Sequence, residues 1–382
     1  MNRKSDCCGC TACKLACPVQ CIRMEPDAEG FLYPVISAEN CIHCGKCETV
    51  CPILHPPAPE GRTQTFVGYT KEAAVRSNSS SGGIFTPAAA YVLGRGGVVF
   101  GAAFTDEFEV CHVCVESEET LDRLRGSKYV QSHLGNAYAQ AKKYLADDRW
   151  VLFSGTACQI AGLKKYLGKE QEKLLTIDVL CHGVPSPKIW KQYLEEQRQS
   201  YGAKIVSIRL RDKELGWKQY SIRMGFENGR EYAVPFSKDP FMKLFLGNID
   251  LRPSCHACRF KEFPRVSDMT IGDCWGIENQ MPEMDDDRGT SVIMVHTRKG
   301  EELLDAIQSQ LVLREGSLDR VLPPAADSRR SVDIHPNRKR FWAAVDRGES
   351  MDCLCGCVKR NFFQRAVSVA RYFLDGWGGG RK

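Results

Sequence analysis

Two copies of one cysteine motif near the start of the sequence constrain the fold of this chain more than any other feature. The motif reads C-x2-C-x2-C-x3-C-P. Its first copy consists of Cys7, Cys10, Cys13, Cys17 and Pro18. Its second copy consists of Cys41, Cys44, Cys47, Cys51 and Pro52, so every position recurs 34 residues later. The segment is therefore an internal duplication, and we expect it to fold as one small module.

The spacing of these cysteines favours iron–sulfur chemistry. A gap of two residues lets the chain curl around a cubane and present successive thiolates to different irons. In two-cluster ferredoxins, the fourth cysteine of each run binds the other cluster. This rule predicts a first set, made of Cys7, Cys10, Cys13 and Cys51, and a second set, made of Cys41, Cys44, Cys47 and Cys17. The alternative is a pair of zinc sites, which would give no reason for the repeated C-x3-C-P.

The cysteine content also bears on the class and compartment of the protein. A disulfide scaffold rich in cysteine is typical of short secreted chains, whereas here 20 cysteines are spread over 382 residues. The sequence begins with MNRKSD, and no apolar stretch behind it resembles a secretory signal. It also has no run of the ~18 apolar residues that a membrane span requires. We therefore expect a cytoplasmic protein whose clustered cysteines serve metal or redox chemistry.

The net charge of +5 is concentrated in residues 359–382, which carry six Lys or Arg against one Asp. A nucleic-acid-binding domain would need a basic stripe on its folded surface, so we expect no nucleic-acid partner. Apolar residues at helical spacing in the same segment predict a basic amphipathic helix. Such a helix either packs on the protein's own core, which we favour, or contacts a membrane surface or a docking partner.

The rest of the sequence predicts an α/β domain. The stretch HPPAPEGR, residues 55–62, has the composition of a linker. From residue 63 onward, apolar runs such as VVFGAAF, WVLFSG and LLTIDVL alternate with amphipathic helical segments. This alternation indicates a mixed or parallel sheet covered by helices. The expected fold is thus an α+β ferredoxin-like dicluster module followed by an α/β domain.

Four cysteines outside the duplication lie where a ligand could bind. Cys158 follows a predicted strand and begins a predicted helix, and Cys181 ends the next strand. Ligands of open α/β sheets bind at the carboxyl ends of strands. Cys255 and Cys258 form a C-x2-C pair that could complete a third site. The alternatives are a lone reactive thiol at Cys158 and simple burial of all four. His182 could donate a proton or a hydrogen bond here, and we favour the hydrogen bond.

Two polar loops could hold a nucleotide cofactor. SNSSSGGIF, residues 77–85, opens a predicted helix, and its N–H groups and hydroxyls could cradle a pyrophosphate. RGSKYVQS, residues 125–132, offers a lysine and several polar side chains. The alternative for both loops is a flexible or solvated segment without a ligand.

Taken together, these stretches resemble the family of coenzyme F-420 hydrogenase/dehydrogenase beta subunits, in its version with an N-terminal two-cluster ferredoxin module. The resemblance spans about residues 1–340. It rests on the duplicated motif and, in order, on SSSGGIF, GSKYVQS, SGTACQIAGLK, CHGVPSP, SCHACRF, SDMTIGDCWG and GTSVIMVHT. Two positions depart from the family's pattern: position 157 is Ala where the family has Pro, and position 274 is Cys where it has an aromatic residue.

The resemblance implies FAD and a third 4Fe–4S cluster in addition to the two clusters of the module. By position, the cluster ligands are a third set, made of Cys158, Cys181, Cys255 and Cys258. The residues implied at the FAD are Ser79, Ser80, Ser81, Gly82, Gly83, Lys128, Tyr129, Gln131 and Ser132. SDMTIGDCWG is expected to line the same cavity. A metal-binding role stays open for Cys274, Cys353, Cys355 and Cys357.

The expected boundaries divide the chain into four parts. Residues 1–58 form the dicluster domain, and residues 63–148 form an N-terminal flavin-binding region of the beta-subunit part. Residues 149–325 form its C-terminal region with the third cluster, and residues 326–382 form an extension with the basic amphipathic helix.

These parts predict an iron–sulfur flavoprotein oxidoreductase. A hydride carrier delivers two electrons at once, a cluster accepts one, and a flavin converts between them. The expected partners are a hydride-carrying small molecule such as a deazaflavin, and a one-electron carrier such as ferredoxin or a partner subunit. The alternatives are an electron-transfer subunit without its own substrate site and a redox sensor, for which no DNA-binding segment is visible. No catalytic residue, substrate, direction of electron flow or oligomeric state follows from the sequence.

Overall fold

In the computed structural model, which describes residues 4–59 and 61–359, the two cysteine motifs form one small module. We call residues 4–59 the cysteine-rich module. Its elements are α1 (Ala12–Ala16), β1 (Ile22–Pro26), β2 (Leu32–Ile36) and α2 (Lys46–Thr49). The two strands pair antiparallel, with Ile22 opposite Ile36. Each one-turn helix carries one motif cysteine, Cys13 in α1 and Cys47 in α2, so the cysteines are presented from loops and helix starts around the hairpin.

The second part of the chain is built on a large sheet. Its first half comprises β3 (Gln64–Thr70), α3 (Ala73–Ser77), α4 (Phe85–Leu93), β4 (Val98–Phe104), β5 (Val110–Val115), α5 (Ala137–Ala146), β6 (Val151–Thr156), α6 (Ala157–Leu167) and β7 (Leu174–Val179). The strands β4, β6 and β7 are parallel neighbours. They are almost continuously apolar because helices cover both faces of the sheet at this point.

A small antiparallel sheet is inserted before the large sheet is completed. This insertion comprises α7 (Pro187–Tyr201), β8 (Ile205–Asp212), β9 (Ser221–Phe226), β10 (Glu231–Pro235) and α8 (Pro240–Leu246). The boundaries of α7 follow from its sequence. Oγ of Ser186 accepts hydrogen bonds from the first helical N–H groups, and Pro187 suits the first turn. Gly202 ends the helix at φ 63°, which other residues rarely adopt.

The remaining elements complete and cover the large sheet. They are β11 (Met269–Asp273), α9 (Ile277–Gln280), β12 (Ser291–Val295), α10 (Arg298–Ile307), β13 (Leu311–Glu315), α11 (Leu318–Val321), α12 (Arg338–Asp346) and α13 (Met351–Cys355). The eight strands follow the order β13-β3-β12-β11-β7-β6-β4-β5. The strands β11, β7, β6 and β4 run parallel, and the outer strands are antiparallel to their neighbours. The predicted α/β domain with a mixed sheet is confirmed.

The cysteine-rich module packs on one face of the large sheet. Phe100 of β4 and Phe153 of β6 lie in an apolar cluster with residues of α5 and α6. The same cluster contains Cys8, Cys10 and Ile53 of the module. The opposite face is covered by α4 and α10. The module therefore contacts α6 directly, which brings the cysteine motifs close to the carboxyl ends of the parallel strands.

The described residues contain no helix that is both long enough and apolar enough to cross a membrane. Residues 360–382, which hold nearly all of the predicted basic amphipathic helix, lie outside the described residues. The four domain boundaries stay predictions.

Candidate cofactor cavity and cysteine sets

The first set of cysteines surrounds one small pocket inside the cysteine-rich module. Its walls include all four members, Cys7, Cys10, Cys13 and Cys51. None of the four is more than 9 % exposed. Burial, together with the neighbouring Cys7 thiol, raises the pKa of Cys13 to about 12. The set expected from the sequence, with its fourth member taken from the second motif, therefore shares one buried space.

The second set lies nearer to the solvent. Cys17, Cys41 and Cys47 pack against the same small apolar cluster as Cys21, whereas Cys44 is exposed. The Sγ atoms of Cys17 and Cys21 are 3.4 Å apart. Of the two motif sets, the second is thus the one from which an external partner could be reached.

The third set comes together at the carboxyl end of the large sheet. Cys158 lies in the first turn of α6, and Cys181 comes two residues after the end of β7. Burial, with contributions from the Cys158 and Cys258 thiols, raises the pKa of Cys255 to about 12. Burial and the thiols of Cys255 and Cys158 likewise raise the pKa of Cys181. All four cysteines line one large cavity, although their positions in the sequence differ by up to 100.

Three buried cations stand beside the third set. Arg252, Lys261 and Arg265 are each at most 4 % exposed and line the same cavity. The positive charge of Arg252 lowers the pKa of Cys158, and that of Lys261 lowers the pKa of Cys181, although burial and neighbouring thiols leave both pKa values raised. A 4Fe–4S site requires thiolates, and buried thiolates need nearby positive charge. The donor set and its charges therefore fit an iron–sulfur cluster.

The thiols of these sets stand around spaces and do not meet at a point. Within residues 4–59 and 61–359, no three side chains of His, Cys, Asp or Glu converge closely enough to hold a single metal ion. The first set lines a pocket and the third set lines a cavity, so each leaves room between its members for a group larger than one ion.

The four cysteines whose role stayed open lie elsewhere. Cys274 is fully buried in an apolar cluster with Trp217 and Ile277, and its side chain is not among the cavity walls. Cys353 is exposed, and Sγ of Cys355 donates a hydrogen bond to the carbonyl of Pro240, 3.4 Å away. Cys357 packs in the apolar core around α8 and α13. The structure therefore brings none of these four to the third set.

The cavity has a volume of about 1000 Å³ and adjoins the carboxyl ends of β6, β7 and β11. This is where open α/β sheets bind their ligands. Eight of the nine residues implied at the FAD line it, namely Ser79, Ser80, Ser81, Gly83, Lys128, Tyr129, Gln131 and Ser132. The ninth, Gly82, is buried behind the loop, where its N–H donates to Oγ of Ser291 at 2.9 Å. SDMTIGDCWG contributes Ile271, Gly272, Asp273, Trp275 and Gly276.

The two predicted cofactor loops are joined to each other. Oγ of Ser80 accepts hydrogen bonds from N of Ser127 at 2.7 Å and from Oγ of Ser127 at 2.8 Å. Nζ of Lys213 donates to the carbonyl of Ser81 at 3.1 Å. Nζ of Lys128 donates to the carbonyls of Arg123 and Arg125. The loops thus form one pre-shaped wall that fits a nucleotide, with an ammonium group and hydroxyls on a largely apolar cavity.

His112 is a cavity residue that the sequence analysis missed. Its Nε2 donates to the carbonyl of Ser154 at 2.9 Å, so its Nδ1 accepts the hydroxyl of Ser132 at 2.7 Å. Burial lowers the pKa of His112 to about 4, so the ring is neutral and fixes Ser132 in one orientation. The only signal was a histidine on an otherwise apolar strand, VCHVCV, which alone does not indicate a site.

An aromatic and cationic wall was also missed. Trp275 is 48 % exposed and stacks on the buried Trp217, with ring centroids 4.6 Å apart and planes 4° from parallel. The carboxylate of Asp273 accepts from Nε1 of Trp217 at 2.9 Å and from both terminal nitrogens of Arg211. Nη1 of Arg211 also donates to the hydroxyl of Tyr129 at 3.3 Å. This network presents a flat indole face to the cavity, and no sequence motif announces it.

His182 lines the cavity beside Cys181. Its Nε2 lies 2.5 Å from Oδ1 of Asn248, and its ring meets the edge of Phe245. Burial lowers the pKa of His182. The residue therefore acts in this structure as a neutral hydrogen-bonding group, the role that the sequence favoured.

Three family models match consecutive parts of the chain. The model described as 4Fe-4S dicluster domain matches residues 6–53. Two further models describe the N-terminal and C-terminal parts of the beta subunit of coenzyme F420 hydrogenase/dehydrogenase, and they match residues 65–138 and 148–320. These two together span more than half of the chain. The expected dicluster module followed by an α/β domain is thus confirmed as the fold class.

Two known proteins are similar to the chain over most of its length. One is the F(420)H(2) dehydrogenase component of Methanosarcina mazei that is named as its F subunit. It is 21% identical over 326 residues, which is 81% of this chain and 84% of that protein. The other belongs to the solved structure of the xenon-derivatised F420-reducing NiFe hydrogenase complex from Methanosarcina barkeri and is 16% identical. That match covers 82% of this chain and 93% of the other, with a TM-score of 0.47.

Proposed function

The chain belongs to the family of coenzyme F420 hydrogenase/dehydrogenase beta subunits and carries a 4Fe-4S dicluster domain, and from this premise we propose that it is an iron–sulfur flavoprotein oxidoreductase. It passes electrons between a hydride-carrying small molecule at FAD and one-electron carriers. The FAD supplies the conversion between two-electron and one-electron chemistry. The three cysteine sets are proposed as the ligands of three 4Fe–4S clusters.

One observation carries this proposal. A single cavity is lined both by the two loops implied at the FAD and by all four cysteines of the third set. Cys8, which lines this cavity, also lines the pocket of the first set. The second set follows within the same module, with Cys44 at the surface. The cysteine sets therefore form a continuous series from the cavity to the solvent, as an electron path requires.

The chain's own residues would bind and orient the two reacting rings. The loops around Ser80 and Lys128 supply hydroxyl, N–H and ammonium groups that suit the phosphates and sugars of a dinucleotide. The indole of Trp275, held flat against Trp217, offers a face on which a planar ring can stack. Apolar walls contributed by Ile84 and Phe245 exclude water, which favours hydride transfer over proton exchange with solvent.

The second set supports an external one-electron partner, either a ferredoxin or a partner subunit. Next to the exposed Cys44, Ile42 is 59 % exposed, and Val19, Val35 and Ile36 in the same module are each more than 40 % exposed. Exposed apolar groups around a redox site are typical of a docking surface. The relative from Methanosarcina mazei is itself named as a subunit of a dehydrogenase, which supports a partner subunit as the electron carrier.

The first experiment is a cofactor inventory. The full chain is purified without oxygen, and iron, acid-labile sulfide, flavin and zinc are measured per chain. Three cubanes and one FAD require about twelve irons and one flavin. About eight irons without flavin would overturn the flavoenzyme proposal and favour an electron-transfer subunit without its own substrate site.

The second experiment tests the substrate class. Reduced deazaflavins and nicotinamides are offered to the holoprotein with an artificial one-electron acceptor. Turnover with one of them identifies the hydride carrier. A holoprotein with bound FAD that oxidises none of them, yet exchanges electrons with ferredoxin, would again favour an electron-transfer subunit.

A further inference from the structure

Arg252 is the most completely buried link between the cysteine-rich module and the rest of the chain. Its side chain has no exposed surface. Nε donates to the carbonyl of Cys7 at 2.7 Å, and Nη2 donates to the carbonyl of Leu32 at 2.9 Å. Nη1 donates to Oε1 of Gln131, also at 2.9 Å. One guanidinium group thus binds two segments of the module and one segment of the cavity wall.

The backbone of residues 7–9 is fixed tightly by this contact. Nε2 of Gln131 donates to the carbonyl of Cys8 at 3.0 Å, next to the Arg252 contact with the Cys7 carbonyl. Gly9 has φ +73°, and a Cβ added there would lie 2.7 Å from Nε2 of Gln131 and 3.0 Å from Nη1 of Arg252. The ring centroid of Tyr33 is 4.3 Å from the guanidinium carbon. Residues 7–9 therefore cannot shift without breaking several contacts.

These residues lie between the first and third cysteine sets. The thiol of Cys8, which belongs to neither set, contacts the thiols of Cys10 and Cys158. Cys10 is a member of the first set, and Cys158 is a member of the third. The charge of Arg252 acts on Cys158 and also on Cys255. The same guanidinium therefore positions the sulfur contact between the two sets and places a permanent positive charge beside it.

We propose that Arg252 is a positioning residue for electron transfer between the third set and the first set, with the Cys8 thiol as the contact between them. The inference rests on the proposed function, in which both sets hold clusters. Each transfer oxidises one cluster by one electron and reduces the other by one, and a two-electron donor at the cavity supplies two such transfers in sequence. The positive charge favours the more negative, reduced form of both clusters.

Arginine suits this position better than lysine. Its planar fork reaches three acceptors in different directions, whereas an ammonium group is a compact point charge. We therefore distinguish two effects of Arg252. The charge sets the reduction potentials, and the fork sets the geometry of residues 7–9.

The test compares Arg252→Met and Arg252→Lys with a matched control, Arg338→Met. Arg338 also joins the module to the rest of the chain, because it pairs with the carboxylate of Glu29 and its Nη1 donates to the carbonyl of Ile249 at 2.7 Å. Its side chain is 12% exposed, and it makes no contact with the cysteine sets among the described interactions. Full-length proteins are purified without oxygen and titrated potentiometrically, with electron paramagnetic resonance to follow each cluster.

We expect Arg252→Met to lower the reduction constants of the first-set and third-set clusters at least tenfold, which is 59 mV for a one-electron couple. The second-set cluster should stay at its wild-type potential. Arg252→Lys should restore the potentials, but it should weaken the magnetic coupling between the first-set and third-set clusters and slow their equilibration. Arg338→Met should leave potentials and coupling unchanged.

Equal shifts in Arg252→Met and Arg338→Met, or no shift in either, would overturn the proposal. If Arg252→Met does not fold or loses iron, Gln131→Met becomes the deciding variant. It removes the hydrogen bonds to Arg252 and Cys8 but keeps the charge, so it should weaken the coupling and leave the potentials; unchanged coupling would overturn the proposal. A wild-type protein with only two clusters would instead contradict the proposed function, which separates the two failures.

Discussion

Cys158 is the member of the third set whose replacement tests the set most directly. We expect Cys158→Ala to lower the iron content from about twelve to about eight per chain, because one cubane loses a ligand while two remain. Iron and sulfide analysis measures this loss, and electron paramagnetic resonance should still show both clusters of the cysteine-rich module. The matched control is Cys274→Ala, since Cys274 is buried away from the cavity. Loss of iron in the control but not in Cys158→Ala would show that the ligands were assigned wrongly.

Lys128 gives the flavin proposal a pH dependence. Burial lowers the pKa of Lys128 to about 7, so the ammonium group is charged below this pH and neutral above it. A bound pyrophosphate requires the charged form. We therefore expect the FAD affinity of the wild-type protein to fall as the pH rises above about 7, by at most tenfold per pH unit. Flavin fluorescence in equilibrium dialysis measures the affinity.

Substitutions separate the charge of Lys128 from other effects of pH. Lys128→Met should lower the FAD affinity at pH 6 by about tenfold or more, since charged hydrogen bonds contribute about 1.5–3 kcal/mol. Lys128→Arg should bind FAD with little dependence on pH, because guanidinium stays charged. The exposed Lys143 on α5 provides a control, and Lys143→Met should behave as wild type. A pH profile that is identical in Lys128→Arg and the wild type would rule out this role.

At the scale of elements, helix α6 couples the third set to the cysteine-rich module. Gly162, in the middle of α6, lies against the first motif: a Cβ added there would be 2.8 Å from Cβ of Cys10 and 2.9 Å from Oη of Tyr138. Gly162→Ala should gain about 1 kcal/mol of helix propensity. The clash should cost about 1–3 kcal/mol, because Cβ of Cys10 cannot move without its backbone.

We therefore expect Gly162→Ala to lower the free energy of unfolding and to speed the loss of iron from the first set. Urea unfolding and the rate of iron transfer to a chelator measure the two effects. Gly356→Ala is the control, since an added Cβ at Gly356 meets nothing within 4 Å. Stabilisation of both variants would mean that the contact between α6 and the module is loose.

The sequence predicted elements well where local pattern and burial agree. The strands β4, β6 and β7 are apolar because they are central, and α6 and α7 begin at capping residues that the sequence displays. The inserted sheet of β8, β9 and β10 was not predicted. Its strands mix charged and apolar residues, as IVSIRLRD shows, and one sheet face is exposed. The antiparallel placement of β12 beside β3 was equally out of reach, because strand order depends on contacts between distant segments.

The same division holds for the site. The cysteines could be found because iron–sulfur ligands occur at fixed spacings, and the polar loops because the resemblance points to them. Arg252, His112 and the Trp217–Trp275 pair could not be found, since each acts through contacts with residues far away in the sequence. A lone arginine in a sequence carries no sign that it will be fully buried. Residues that join two parts of a molecule therefore become visible only when both parts are in place.

At the scale of the whole molecule, the cysteine sets give the electron path an inner and an outer end. The cavity and the third set are enclosed, whereas Cys44 of the second set is exposed. Electrons should therefore leave or enter through the surface around Ile42, which is 59 % exposed. We expect Ile42→Asp to slow electron transfer to a two-cluster ferredoxin at least fivefold, because a charge disrupts an apolar docking contact.

Stopped-flow spectroscopy tests this expectation when the pre-reduced protein is mixed with oxidised ferredoxin. The control is Leu215→Asp, because Leu215 is 61 % exposed but lies between β8 and β9, outside the module. Cluster content and potentials should be unchanged in both variants, so a slower rate in Ile42→Asp alone would reflect docking. If Leu215→Asp slows the reaction and Ile42→Asp does not, the ferredoxin approaches the molecule from the opposite part, and the order of the sets along the electron path must be reversed.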